Sequence, residues 1–148
     1  MTVAAESGST KTLGTAVRAL IDAGDGERLA ALVATDPRAA TVEVRWGEDI
    51  HAADPQRHEP PNRCSALHYV AQARFHGARE EGNPVTLARV LLDSGADADH
   101  GGRGPAGETV LQTAVSLYER DLAELLIERG ATVDALGGCV DNGSALAL

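Results

Sequence analysis

Leu122-Ala-Glu-Leu-Leu-Ile-Glu-Arg-Gly-Ala-Thr-Val-Asp134 decides the reading of this chain, because the same phrase stands 35 residues earlier. There it reads Leu87-Ala-Arg-Val-Leu-Leu-Asp-Ser-Gly-Ala-Asp-Ala-Asp99, with Leu, Ala, Leu, Gly, Ala and Asp in matching places. Self-similarity at such a period marks stacked supersecondary units. A second phrase precedes each copy: Ser65-Ala-Leu-His-Tyr-Val-Ala71 and Thr109-Val-Leu-Gln-Thr-Ala114, and Ser144-Ala-Leu-Ala-Leu148 begins it a third time. Leu111 to Leu146 is again 35 residues, whereas Leu67 to Leu111 is 44, so the earlier unit carries nine additional residues. They fall between Ala71 and Leu87, where Arg74-Phe-His-Gly-Ala-Arg-Glu-Glu-Gly-Asn-Pro84 reads as an extended polar loop.

One unit can be built from residues 108–135. Thr109 suits the N-cap of a short helix, since its hydroxyl accepts from backbone N–H groups that have no helical partner. Leu111, Ala114 and Val115 recur at helical spacing and give one apolar face. Asp121 is placed to cap a second helix, whose Leu122, Leu125 and Leu126 form another stripe. Gly130 ends it in the left-handed conformation that glycine adopts cheaply. A pair of this kind cannot bury its apolar face alone, and stacking on a neighbour supplies the missing partner.

These residues resemble the ankyrin-repeat family, whose repeat of about 33 residues opens on Thr-Pro-Leu-His-x-Ala. Ser65-Ala-Leu-His-Tyr-Val-Ala71 looks like that opening with Ala66 in the proline place, and Gly107-Glu-Thr-Val-Leu-Gln-Thr-Ala114 keeps it with Gln112 for His. Leu91-Leu-Asp-Ser-Gly-Ala-Asp97 and Leu126-Ile-Glu-Arg-Gly-Ala131 resemble the second-helix ending. A weaker copy is Val17-Arg-Ala-Leu-Ile-Asp-Ala-Gly24 followed by Glu27-Arg-Leu-Ala-Ala-Leu-Val33, where Asp36-Pro37 replaces the Gly-Ala ending. The expected fold is therefore all-α, an ankyrin-repeat solenoid of helix-turn-helix pairs joined by inter-repeat turns.

Six segments follow: a flexible N-terminal tail (1–12), a degenerate capping repeat (13–40) and an insert (41–63). Then come a repeat with an extended inter-helix loop (64–100), a further repeat (101–135) and the start of an incomplete one (136–148). In the insert Val42, Val44 and Trp46 alternate, which is compatible with a short strand or hairpin finger. The unfinished last repeat leaves an apolar face that invites self-association.

Composition bounds the function. The chain is 148 residues long, 43% hydrophobic but only 3% aromatic, which suits close helix packing better than a ring-walled pocket. Its net charge is −9, with 22 acidic residues against 13 basic, and a surface of that sign repels phosphate backbones. Twelve Arg against the single Lys11 fit a GC-rich bacterial genome. The N-terminus has no basic start and no apolar run, and no stretch is apolar enough for a membrane span. The expected location is the cytoplasm, with Cys64 and Cys139 as reduced thiols.

Chemistry is expected to be absent: no catalytic, cofactor-binding or metal-ligating residue is assigned, and no cofactor. Cys64 and His68, with His51, His58 and His76 nearby in sequence, have the residue types of a zinc site. The resemblance instead gives His68 a hydrogen bond between neighbouring turns. Asn142-Gly-Ser-Ala145 is not the nucleophile elbow of hydrolases. Gly101-Gly-Arg-Gly104 and Gly137-Gly138 lack the Lys-Ser/Thr of a phosphate loop. Asp97 and Asp99 read as turn residues that cap local backbone.

What remains is protein binding through the concave face and the 41–63 insert. The resemblance maps partner-facing positions onto Cys64, Gln72 and Ala73 in one repeat, and onto Pro105, Ala106, Glu108, Ser116 and Leu117 in the next. Trp46 and Leu117 are the apolar anchors. The alternatives are a fragment or regulatory, immunity-type module of a longer ankyrin protein, or a small metal-binding or catalytic protein using Cys64 and His68.

Overall fold

The computed structural model describes residues 2–46, 62–73, 84–99 and 108–134. The chain is mostly helical, with six α-helices and one two-stranded sheet among these residues. In order they are α1 (Thr2–Ala23), α2 (Gly26–Thr35), a 3-10 turn (Pro37–Ala40), β1 (Glu43–Trp46), β2 (Asn62–Ser65), α3 (Ala66–Gln72), α4 (Pro84–Asp93), α5 (Val110–Ser116) and α6 (Arg120–Glu128).

The helices form three pairs arranged in two layers. In one layer α3 lies against α1 on one side and α5 on the other; in the other α4 lies between α2 and α6. Each pair thus covers the apolar stripe of the pair before it. Leu13, Val17 and Ile21 supply the stripe of α1, Leu29 and Val33 that of α2, Leu87, Ala88 and Leu91 that of α4, and Leu122, Leu125 and Leu126 that of α6. Small residues let the layers close up: Ala66, Ala71, Ala88 and Ala114 are all buried where helix backbones meet.

The local signals read from the sequence act where expected. Ser65 caps α3, its hydroxyl accepting from the His68 N–H at 3.1 Å, and Thr109 caps α5 through the Gln112 N–H at 3.1 Å. Gly95 and Gly130 end α4 and α6 at φ 105° and 92°, and after each glycine the Ala N–H returns to a carbonyl five residues back, Ala96 to Leu91 and Ala131 to Leu126.

Other readings need correction. Helix α1 takes in residues 2–12, which the sequence reading gave to a tail; Ala4, Ala5, Glu6 and Lys11 are good helix formers that let α1 extend upstream of its buried stripe. Asp121 does not cap α6. That helix starts at Arg120 after Glu119, with no side-chain cap, and Asp121 sits in the first turn, where its carboxylate faces the positive helix end. In the insert the short strand expected from the alternation does form: β1 pairs antiparallel with β2, which runs on into the next segment, with Glu43 opposite Ser65, Val44 opposite Cys64, Arg45 opposite Arg63 and Trp46 opposite Asn62. The middle of the insert, the 74–83 loop, the glycines at 101, 102 and 104, and residues 135–148 lie outside the described residues.

Candidate functional site

Helix α1 seats the β1–β2 pair by a contact that only glycine permits. A Cβ on Gly14 would lie 2.4 Å from the Glu43 carbonyl oxygen, so the strand backbone rests on the helix backbone there. One turn further, the Arg18 guanidinium donates to the Arg45 carbonyl at 2.9 Å. With period-two alternation, Val44 and Cys64 point inward and are buried, while Glu43, Arg45 and Arg63 point out. Arg45 and Arg63 both lean on the Glu43 carboxylate, at 3.8 and 3.9 Å, in solvent where such pairs add little stability. Lys11, Gly14, Thr15, Arg18, Glu43 and Arg45 line a crevice of about 90 Å³ between helix and strand.

Two polar seams join neighbouring helices within the layer of α1, α3 and α5. Between α1 and α3, the buried Tyr69 donates its hydroxyl to Asp22 at 2.6 Å. The Arg18 side chain lies 3.5 Å from the other Asp22 oxygen and 5.9 Å from the Tyr69 ring centre. Burial first, and the Asp22 carboxylate second, push the Tyr69 phenol up to about 12. Between α3 and α5, His68 Nε2 lies 2.8 Å from the Thr113 hydroxyl oxygen, which itself donates to the Glu108 carboxylate at 2.9 Å. Thr113 has one proton and gives it to Glu108, so His68 Nε2 carries the hydrogen and donates. His68 is 1% exposed, and its imidazole joins two helix pairs.

A third link runs along the pair ends. The Asp97 carboxylate accepts from the Asp99 N–H at 2.8 Å, an ordinary turn cap. Asp99 itself reaches into the next unit and accepts from the Thr132 N–H at 2.7 Å. Arg129 on the end of α6 meets Asp93 on the end of α4 at 2.7 Å.

The sequence-chosen partner positions divide. Cys64, Gln72 and Ala73 are buried, which corrects their assignment to a partner-facing surface. Cys64 faces inward from β2, and Gln72 turns its amide toward the Cys64 sulfur at 3.8 Å. Burial pushes the Cys64 thiol up to about 12, so the thiolate needed of a nucleophile is disfavoured. Ser116 is exposed, and Glu108 and Leu117 are half-buried. Trp46 closes β1, while Pro105 and Ala106 lie outside the described residues.

Sequence reasoning missed Tyr118. It is 93% exposed and adopts φ 60°, in the left-handed region that side chains other than glycine's rarely enter. The turn between α1 and α2 places Gly24 at the corresponding point with φ 67°. The two turns also share their hydrogen bonds: Gly24 to Ile21 and Asp25 to Leu20 in the first, Tyr118 to Val115 and Glu119 to Ala114 in the second. Aligning Gly24 with Tyr118 was the available signal.

No group of three His, Cys, Asp or Glu side chains among the described residues is arranged to hold a metal ion, and no helix there is long and apolar enough to cross a membrane. No protein-family model matches the chain, and no curated protein is significantly similar to it.

Proposed function

We infer that the chain is an ankyrin-type scaffold that binds another protein in the cytoplasm. The observation that carries this reading is the layer order, first helices on first helices and second on second, with His68–Thr113 and Asp99–Thr132 hydrogen bonds at the border between units. Stacking of this kind produces an extended surface of turn tips and first-helix ends. The outward residues of the β1–β2 pair and Ser116 and Leu117 at the end of α5 belong to that surface, with Glu108 at its start. The net charge of −9 favours a partner that offers a basic patch. Fold alone does not name the partner.

The test is site-specific photo-crosslinking in cells. A photoreactive residue at Arg45 or at Ser116 is expected to capture the same partner, and one at Arg28, on the exposed side of α2, is expected to capture nothing. Equal capture from all three positions, or none from Arg45 and Ser116, overturns the reading.

A further inference from the structure

The corner where α1 meets the β1–β2 pair gathers positive charge on a chain whose net charge is −9. Lys11, Arg18 and Arg45 border the crevice there, and Arg63 stands across the ladder from Arg45. Asp22 matches Arg18 at 3.5 Å. Lys11 has no ion-pair partner among the described residues, and Arg45 and Arg63 share the Glu43 carboxylate. Three cations therefore face one carboxylate.

The fold gains little from this arrangement. Arg45 and Arg63 lie directly opposite with both side chains outward, and like charges so placed destabilise a sheet. Glu43 relieves them poorly, because 3.8 and 3.9 Å are beyond hydrogen-bond reach. Other arginines of the chain hold their carboxylates more closely, Arg38 on Asp36 at 2.8 Å and Arg129 on Asp93 at 2.7 Å. At this corner exposed guanidinium groups keep donors to spare. A local rule broken without gain to the fold is characteristic of a functional position.

The dimensions say what fits. The crevice of about 90 Å³ takes a group of a few heavy atoms, since pockets for whole small molecules begin at about 300 Å³. Positive charge also continues past it, because Arg63 stands one strand further out, about 5 Å away. An ion seated in the crevice leaves Arg63 unmatched, whereas carboxylates spaced along a peptide reach both.

We propose that this corner docks an acidic segment of a partner protein, one carboxylate entering the crevice beside Lys11 and Arg45 and a second meeting Arg63. Glu43 keeps the place until then, and it yields readily because exposed pairs of that length contribute little. The whole molecule draws basic surfaces at long range, and this corner draws the opposite sign at contact. The corner belongs to the partner surface described above, and the proposal rests on that reading for the partner being a protein.

The test titrates the full, isotope-labelled chain with octaglutamate at low salt, where exposed charges are least screened. The Gly14, Thr15 and Arg45 amides and the Arg45 and Arg63 side-chain N–H signals are expected to shift and saturate, while α6 amides stay in place and show each variant to be folded. Glu43→Gln is expected to tighten binding about fivefold, and Arg45→Ala and Arg63→Ala each to weaken it about fivefold, the effect of one exposed charge pair. Arg28→Ala makes the same change of net charge away from the corner and is expected to leave affinity unaltered. Absence of saturable shifts, a Glu43→Gln chain that binds no tighter, or an Arg28→Ala loss equal to that of Arg45→Ala overturns the proposal. The same shifts produced by inorganic phosphate at equal concentration also overturn it, and assign the crevice to a free anion. Crosslinking from Ser116 reports on the scaffold reading and this titration on the corner, so either can fail alone.

Discussion

Replacing Gly14 by Ala sets two opposite effects against each other. In an open helix the change is stabilising by about 1 kcal/mol, because Ala is the better helix former. Here the new Cβ would meet the Glu43 carbonyl oxygen at 2.4 Å, with the Glu43 carbonyl carbon at 3.5 Å and Val42 Cγ2 at 3.8 Å behind it. Real contacts of this kind begin near 3.0 Å, so β1 must withdraw by about 0.6 Å. The obstacle is backbone, and it cannot rotate aside as a side chain would. Withdrawal strains the Arg18 hydrogen bond to the Arg45 carbonyl, worth about 1 kcal/mol, and overpacking costs about 1–3 kcal/mol. The expected net result is a loss of about 1–3 kcal/mol. Urea unfolding followed by the fluorescence of the single tryptophan, Trp46 at the end of β1, and in parallel by far-ultraviolet circular dichroism, measures it. A Gly14→Ala variant as stable as the parent, or more stable by the amount open-helix propensity gives, would refute the reasoning about the helix–strand contact.

Three further outcomes are expected. Thr113→Val keeps the side-chain shape but leaves the buried His68 Nε2–H without its acceptor, and should cost about 1–3 kcal/mol in thermal unfolding; Thr113→Ser should recover most of it, and a Val variant matching the parent would show that the seam is not structural. Tyr118→Gly relieves a left-handed side chain and should raise the melting temperature by about 2–4 °C, as expected for about 1 kcal/mol; a lower value would show that the ring already packs on something. Tyr69, raised from 10.0 to about 12 in the folded chain, contributes stability that is complete below pH 10 and lost as pH climbs through 12. Unfolding measured at pH 9 and pH 11.5 should show that loss in the parent and less of it in Tyr69→Phe; equal slopes would remove the Tyr69 phenol as its source.

Much of the helix pattern was readable because its signals are local. A cap acts within three residues, so Ser65 and Thr109 announced α3 and α5 from their own neighbourhoods. A left-handed end needs one glycine, so Gly95 and Gly130 marked the stops of α4 and α6. The capping box at Thr109 was equally local: Gln112, noted only as a departure from His, returns its side-chain oxygen to the Thr109 N–H at 2.8 Å. The candidate surface was less legible, since it depends on which side chains the layers enclose.

The sequence by itself determined the helical class, the 35-residue rhythm and the places where helices stop, all properties of neighbours along the chain. Tertiary structure alone decided that Cys64, Gln72 and Ala73 are inside, and that Gly14 exists to let a strand approach a helix. It alone decided that His68 donates to a threonine 45 residues away, and that Tyr118 stands exposed in a left-handed turn. Each of these is set by packing between segments far apart in the chain, and burial, contact distance and proton direction belong to that packing rather than to any local run of residues.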